Sequence, residues 1–480
     1  MYATAILDND SGAELEGAIR RAWVEADNDI IATAMCQAHY DTNKYHLSLE
    51  SYRRLRESLG LIGVRKENWT MEKAWSILQL ARERHPNAGI QEMRNIVRTE
   101  SNNGTKIPRS IVHDWMCLTE PEQLEARKRR TTKRRQYYSS GSNEIWSMDQ
   151  HDKWKRFGLW LHVGLDVFSG RILWLKVWWT NSNPRLICKY YLDAITDPEI
   201  NGMPLLTFSD PGSENFGIAN AQSTLRQMLD PTLAGTMQHK WMRKHCNIKP
   251  EIFWSQLRAR FSPPLEAIMQ EGIQHGWYNP HNYIELLVFR WVWMPLIQRE
   301  LNLFAYRYNT SRKRSNTKTL LPHGRPKYIF EFPEQFDGQN YKVAVPSDVI
   351  EDVRKRYADP DHAVHDWVPV DFDNQARHAY DHYHLPPVDR TTAWHCYHTL
   401  LWYFTQVALT GEMHQVMSAQ GEMQANLLAQ SETGSSRGDA WAYELDGEVG
   451  YYDGENDFPV GDFSGDEGDD EADVAGDGLF

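Results

Sequence analysis

Three acidic residues in the sequence have the types and surroundings that phosphoryl-transfer chemistry requires. They are Asp149 in IWSMDQHDKW, Asp210 in FSDPGSEN and Glu251 in NIKPEIFWSQLR. Carboxylates that converge repel one another, so such a cluster is costly unless a cation fills it. Two hard divalent ions about 3.5–4 Å apart, Mg²⁺ or Mn²⁺, would activate a water or a 3′-hydroxyl and stabilise the leaving oxygen. We therefore predict that these three residues, the acidic triad, are catalytic and bind two metal ions.

The segments around the acidic triad predict a mixed sheet flanked by helices. Two β-rich runs, GLWLHVGLD and RILWLKVWWT, are joined by a glycine-containing turn that is typical of a hairpin. The predicted order is β-β-β-α-β-α-β-α. The extended runs are 144–150, the two runs of the hairpin, the run before Asp210 and GTMQHKW. The helices are 184–195, 217–229 and 250–261. This order is expected of a ribonuclease-H-like α/β fold with a five-stranded sheet. In that fold the first and fourth strands are neighbours and a helix crosses them, so the triad could converge.

Glu251 is predicted to lie on the solvent side of its helix. Phe253, Leu257 and Phe261 recur every four residues and should face the core. Glu251 then lies about 120° round the helix, on the same side as Arg258, given about 3.6 residues per turn. A carboxylate beside a cation suits metal and phosphate contact. Glutamate in a first turn also compensates the helix dipole, so a purely structural role stays open.

Other acidic residues near the triad have simpler interpretations. Asp152 should point to the opposite face of its strand from Asp149. Asp166 opens the hairpin turn, where aspartate favours local hydrogen bonds. Glu214 is interpreted as a helix-start residue, with contact to the site from the Asp210 loop as the alternative.

The N-terminal region is predicted to contain two helical units that resemble helix-turn-helix domains. Leu49, Tyr52, Leu55 and Leu59 form one apolar stripe at helical spacing. In the second unit, the segment 109–115 would be the recognition helix. A small helical bundle without a role in DNA binding is the alternative.

A strongly basic segment separates these units from the predicted sheet. Seven of the nine residues from Arg127 to Arg135 are basic. Such a block can neutralise phosphates or serve as a nuclear address, so we expect a nuclear protein; a solvated linker is the alternative. The predicted nucleic-acid-binding residues are Arg127, Lys128, Arg129, Arg130, Lys133, Arg134, Arg135, Lys240, Arg243, Lys244 and Arg258. Lys153, Lys155 and Arg156 are weaker candidates.

Charge is distributed very unevenly along the 480 residues. The net charge is −13, but residues 430–480 hold 16 acidic side chains and one basic one, which leaves a net charge of +2 on the rest. Low apolar content and high charge predict a disordered tail, which could bind basic proteins.

The remaining composition excludes several classes. The five cysteines contain no CxxC pair, which argues against a zinc ribbon or a disulfide framework and suits a reducing compartment. The N-terminus lacks the pattern of a signal peptide. The most apolar stretch, 283–297, is short and contains Glu285 and Arg290, so we expect a soluble, intracellular protein with no membrane span.

Three long strings resemble the integrase core of a fungal group of transposon-derived, DDE-type proteins similar to retroviral integrases. They are the string from SMDQHDKW to CKYYLDAI, SDPGSENFGIANAQ and NIKPEIFWSQLR, within about residues 140–335. The resemblance implies a ribonuclease-H-like fold and an acidic triad that binds two metals for DNA cleavage and joining. By motif match, Asp149, Asp210 and Glu251 take the triad positions. The retroviral His/His/Cys/Cys zinc site has no counterpart here; Cys36 and His39 are an isolated pair.

The predicted layout follows from these patterns. It comprises a helical unit (1–66), a second one (67–120), a basic linker (121–142), the catalytic core (143–270), a helical extension (271–340), an unassigned region (341–430) and the acidic tail (431–480).

The leading hypothesis is a DDE-type polynucleotidyl transferase that integrates double-stranded DNA, working as a homo-oligomer on DNA ends. The first alternative is a domesticated, non-catalytic DNA-binding or chromatin adaptor derived from a transposase, which the acidic tail motivates. The second is a ribonuclease-H-like nuclease acting on RNA or hybrids, against which the helical N-terminal units weigh.

Overall fold

The computed structural model describes residues 10–26, 28–39, 47–64, 66–101, 103–126, 138–242, 246–313 and 320–408. These residues belong to two compact units. The first comprises the described residues before 137 together with Thr310–Arg312, and the second contains all of the described strands.

The regular secondary structure described in the first unit consists of helices. Its helices are α1 (Asp10–Glu25), α2 (Asp29–His39), α3 (Leu49–Ser58), α4 (Met71–Arg84), α5 (Ile90–Glu100), α6 (Arg109–Thr119) and α7 (Pro121–Ala126). The hydroxyls of Ser48 and Thr70 accept hydrogen bonds from first-turn backbone N–H groups and so fix the starts of α3 and α4. Helices α1–α3 pack around Tyr52, and α4–α6 pack around Leu78 and Val112. Each predicted helical unit therefore contains a three-helix arrangement.

The second unit is built on a mixed five-stranded sheet. The strands that the structure describes are β1 (Gly141–Ser142), β2 (Ile145–His151), β3 (Trp160–Asp166), β4 (Ile172–Trp178), β5 (Leu206–Ser209), β6 (His239–Trp241) and β7 (Gln339–Asn340). The sheet order is β4-β3-β2-β5-β6. Strands β2, β5 and β6 are parallel, whereas β3 is antiparallel to both of its neighbours. Strands β1 and β7 form a separate parallel pair.

Helices cover both faces of this sheet. The helices described after β4 are α8 (Pro184–Thr196), α9 (Phe216–Leu229), α10 (Ile248–Arg260), α11 (Ser262–Gln274), α12 (Tyr283–Thr310), α13 (Pro326–Glu331), α14 (Ser347–Tyr357), α15 (Val370–His382) and α16 (Ala393–Ala408). On one face, Trp146 of β2 packs against Tyr191 of α8, with ring centroids 6.0 Å apart. On the other face, Ile145 and Phe208 pack with Ile248 of α10. The predicted order of elements and the ribonuclease-H-like fold are confirmed.

Side chains of α12 form hydrogen bonds with the backbone at one edge of the sheet. Strand β4 lies at this edge, where backbone N–H and C=O groups lack a neighbouring strand. The Gln298 amide accepts from Val177 N–H at 3.0 Å and donates to Leu175 C=O at 2.9 Å. The Asn309 amide makes the same two contacts with the backbone of Ile172, at 2.8 and 2.9 Å. Helix α12 therefore pairs with β4 much as a strand would.

Residues 341–408, all of which fall in the region that the sequence left unassigned, are part of this unit. Arg354 of α14 donates to the Asp193 carboxylate of α8 at 2.8 Å. The indole N–H groups of Trp178 and Trp179 donate to the carbonyls of Val364 and Asp366. Hydrogen bonds between residues far apart in the sequence thus connect this segment to α8 and to the end of β4. Sequence patterns rarely reveal such contacts.

No helix in the described ranges is long and apolar enough to cross a membrane. All five cysteines, each of them in a described range, are free thiols.

We expect Gly164→Ala to destabilise the second unit. Gly164 lies opposite Trp174 in the β3–β4 register, and a Cβ on Gly164 would come within 2.3 Å of the Trp174 ring. Because Trp174 is buried, the ring cannot move aside, and the expected loss is about 1–3 kcal/mol in urea unfolding.

The matched control is Gly63→Ala, since a Cβ on Gly63 would meet nothing within 4 Å. Its effect should stay within about 0.5 kcal/mol. An unchanged midpoint for Gly164→Ala would show that the strand pair is looser than described.

Candidate active site

The register of two parallel strands brings Asp149 and Asp210 together. Strand β2 pairs with β5 from Ile145↔Leu206 to Ser147↔Phe208. Continued for two residues, the same register sets Asp149 opposite Asp210, the first residue after β5. Residues opposite each other in neighbouring strands point to the same face of a sheet. The two carboxylates therefore share one face, and both are partly buried.

Helix α10 is fixed across this face by Asn247, the residue before its first turn. The Asn247 amide donates to the Met148 carbonyl at 2.8 Å and accepts from the Ser147 hydroxyl at 2.5 Å. Its predicted inward side is confirmed, because Phe253 and Leu257 are buried. Glu251 lies in the first turn of α10 and is exposed, as predicted.

Trp254 links α10 directly to the carboxylate on β2. Its indole N–H donates to Asp149 Oδ2 at 3.0 Å. Its ring also stacks on His151, with centroids 4.7 Å apart and an interplanar angle of 16°. Trp254 was not predicted to be functional. It lies three residues after Glu251, on the next turn of the same helix, and this spacing could have identified it.

The three acids act on one another electrostatically. Burial raises the pKa of Asp149 to about 7, and the negative charges of Asp210 and, more weakly, Glu251 add to the rise. Hydrogen bonds from the Gln150 backbone N–H and from Trp254 oppose it. Strongly shifted carboxyl groups in such surroundings are typical of functional sites.

Within the described ranges, no three His, Cys, Asp or Glu side chains are grouped closely enough to hold a metal ion. Asp149 and Asp210 form a pair, and Glu251 contributes charge from the edge of α10. Carboxylate oxygens are the hard donors that Mg²⁺ and Mn²⁺ prefer, so the donor set fits these ions.

A fourth acid, Glu214, lies on the other side of Asp210. Its carboxylate accepts from the Gln150 side chain at 3.1 Å, and burial followed by the charges of Asp152 and Asp210 raises its pKa. It does precede a helix, as predicted, in a 3₁₀ turn before α9. Its contact with Gln150 places Glu214 beside β2, the strand that carries Asp149.

Asp152 and Asp166 have local roles. Asp152 is exposed beyond the end of β2 and accepts from the Asn181 amide at 2.9 Å. Asp166 is buried in the hairpin turn and accepts from the backbone N–H groups of Ser169 and Asn143, as expected of a turn residue.

A buried histidine holds the end of β5. His239 of β6 is hydrogen-bonded through its two ring nitrogens to Thr207 Oγ1 at 2.8 Å and Ser209 Oγ at 3.1 Å. Burial lowers the pKa of His239 to about 3, so its imidazole is neutral. Ser209 Oγ also donates to the carbonyl of Asp210 at 3.0 Å, which ties the Asp210 backbone to this core network.

Some predicted basic residues lie near the carboxylates. Arg258 and Lys153 are exposed and close enough to His151 to help burial lower the pKa of its imidazole to about 4. Lys240 pairs in register with Phe208, on the Asp210 face of the sheet. Arg156 is engaged by Glu266 at 3.0 Å. The predicted residues Arg243, Lys244 and the basic segment 127–135 lie outside the described residues.

A region of the chain, most of it in the second unit, is similar to a known family. Residues 136–323 match the family model of the integrase core domain. A search of curated proteins found no significant match. The match supports a retroviral-integrase-like domain in this region and, at the level of the family, a polynucleotidyl-transferase-like function. Domains of this family bind DNA and generally use divalent metals.

We expect Asp149→Asn to stabilise the metal-free protein at alkaline pH. The folded carboxyl has a pKa of about 7 against an ordinary value of 3.8, so the folded state holds an extra proton between these values. The contribution of Asp149 to the free energy of unfolding therefore falls as the pH rises from 3.8 to about 7. At pH 8 the variant should have a Tm about 2–4 °C higher than wild type, and near pH 4 the two should converge.

The measurement is thermal unfolding in a chelating buffer, with Asp361→Asn, an exposed acid in a loop, as the control. Equal pH profiles for Asp149→Asn and wild type would show that Asp149 ionises normally.

Proposed function

We propose that this protein is a DDE-type polynucleotidyl transferase that cleaves and joins strands of double-stranded DNA. The observation that carries the proposal is the in-register placement of Asp149 and Asp210 on parallel strands, with Glu251 close enough to raise the pKa of Asp149. The match of residues 136–323 to the integrase core supports the same class of chemistry.

In this proposal, Asp149, Asp210 and Glu251 hold two Mg²⁺ or Mn²⁺ ions. Bound there, the ions would make a water or 3′-hydroxyl nucleophilic and stabilise the leaving oxygen. The chain itself supplies the rest. The β2–β5 register sets the separation of the two aspartates, Asn247 fixes the helix that carries Glu251, and Arg258 and Lys153 offer positive charge to flanking phosphates.

The wider setting is proposed from the sequence. The basic segment 127–135 would bind DNA phosphate and direct the protein to the nucleus. The acidic tail would bind basic proteins, and a homo-oligomer would supply two active sites for two DNA ends. The resemblance of the three motif strings supports a fungal, transposon-derived origin, which inverted repeats flanking the gene would test.

We expect Asp149→Asn, Asp210→Asn and Glu251→Gln each to lower metal-dependent DNA nicking by about 10³-fold or more, as when one member of a catalytic unit is removed. The assay is Mn²⁺-dependent nicking and joining of supercoiled plasmid. DNA affinity should change little, because these residues act on the reacting phosphate. Asp361→Asn should retain full activity.

If wild-type protein binds DNA but never nicks it, and none of the three substitutions alters that binding, the non-catalytic adaptor is the correct assignment. Cleavage confined to RNA or hybrid substrates would instead indicate the nuclease alternative.

We expect the basic segment to carry much of the DNA affinity. Replacing its seven cations with glutamine should reduce the slope of log K against log salt by up to about 6, since each neutralised phosphate contributes about 0.9. Fluorescence anisotropy with duplex DNA between about 50 and 200 mM salt measures this.

The matched control is a version with lysine at all seven positions, which keeps the charge and should keep the slope. An unchanged slope in the glutamine version would contradict a phosphate-binding role and leave the segment as a linker.

A further inference from the structure

Trp254 lies over two residues of the same strand face. Its N–H donates to Asp149 Oδ2 at 3.0 Å, and its ring stacks on His151, two residues further along β2. Because side chains alternate along a strand, Asp149 and His151 project from one face, and a single indole spans both. Trp254 is buried, at 7% exposure, and its ring also meets that of Phe253 edge to face, with centroids 5.1 Å apart.

The same helix carries a triad residue one turn earlier. Glu251 and Trp254 are three residues apart on α10, so they lie on adjacent turns and move together with the helix. A shift of the indole would therefore change both the orientation of the Asp149 carboxylate and the distance of Glu251 from β2. Groups that hydrogen-bond to metal-binding carboxylates orient them in this way.

We propose that Trp254 is a positioning residue of the acidic triad. Its indole N–H fixes the plane of the Asp149 carboxylate, and its stacked ring sets the spacing between α10 and β2. This inference rests on the proposed function, because it takes Asp149 as a metal ligand.

A role in packing alone makes a different prediction. Trp254→Phe keeps an aromatic ring for His151 and Phe253 but removes the N–H donor. If Trp254 acts only through the packing of its ring, the Mn²⁺ affinity of this variant will equal that of wild type. If the N–H orients Asp149, affinity will fall while the fold persists.

The experiment measures Mn²⁺ binding to the full chain without DNA, by titration calorimetry. We expect Trp254→Phe to weaken Mn²⁺ binding about tenfold, at the lower end of the effect of losing such an orienting contact. The matched control is Trp291→Phe, because the Trp291 N–H also donates to a carboxylate, that of Asp373 on α15, at 2.8 Å. That variant should bind Mn²⁺ as wild type does, and the two variants should have similar Tm values.

The outcomes separate this inference from the proposed function. If Asp149→Asn abolishes Mn²⁺ binding but Trp254→Phe stays within twofold of wild type, the positioning role is overturned and the metal site stands. If Asp149→Asn binds Mn²⁺ as wild type does, both proposals fail.

A second measurement uses the folded wild-type protein labelled with ¹⁵N-tryptophan. The indole resonance of Trp254 should move when Mg²⁺ is added, because its acceptor changes charge environment, whereas that of Trp291 should stay. An unmoved Trp254 resonance, in protein whose Mg²⁺ binding calorimetry confirms, would overturn the positioning role independently of any variant.

Discussion

Strands β2 and β5 run parallel, and the candidate site depends on the register in which they pair. The offset between Ser147 and Phe208 carries Asp149 to the level of Asp210. Two carboxylates at one level repel each other, so the core behind them must hold the strands against that repulsion. Trp146 on one face, and Ile145 with Phe208 on the other, provide this support. The pKa of Asp149 is raised first by burial and then by the negative charge of Asp210, so both effects oppose ionisation of this carboxyl group.

Polar side chains determine the position of α10 and therefore that of Glu251. Asn247 joins α10 to β2 through the Met148 carbonyl and the Ser147 hydroxyl, and Trp254 joins it again at Asp149. On the far side of β5, His239 performs a similar task through buried hydroxyls. The acids are thus held by hydrogen bonds to rigid elements, which is how a site with repelling charges keeps its geometry before a cation binds.

Periodicity predicted the order of strands and helices, because burial imposes a period of two on strands and of about 3.6 on helices. It also predicted which side of α10 is buried, as Phe253 and Leu257 show. The roles of Trp254 and Asn247 were missed, since they depend on contacts between residues 105 and 99 positions apart. The segment 341–408 was unassigned for the same reason: Trp178 and Trp179 are fixed by distant backbone carbonyls. The assignment of the acids to a metal site stays a prediction.

The way in which α12 covers β4 limits how copies of this chain could associate. Many proteins join subunits by aligning the open borders of their sheets into one continuous sheet. Here the backbone groups of Ile172, Leu175 and Val177 already bond to the amides of Asn309 and Gln298. A second copy would have to break four hydrogen bonds to gain its own. Any assembly on DNA ends would therefore not form by lengthening the sheet past β4.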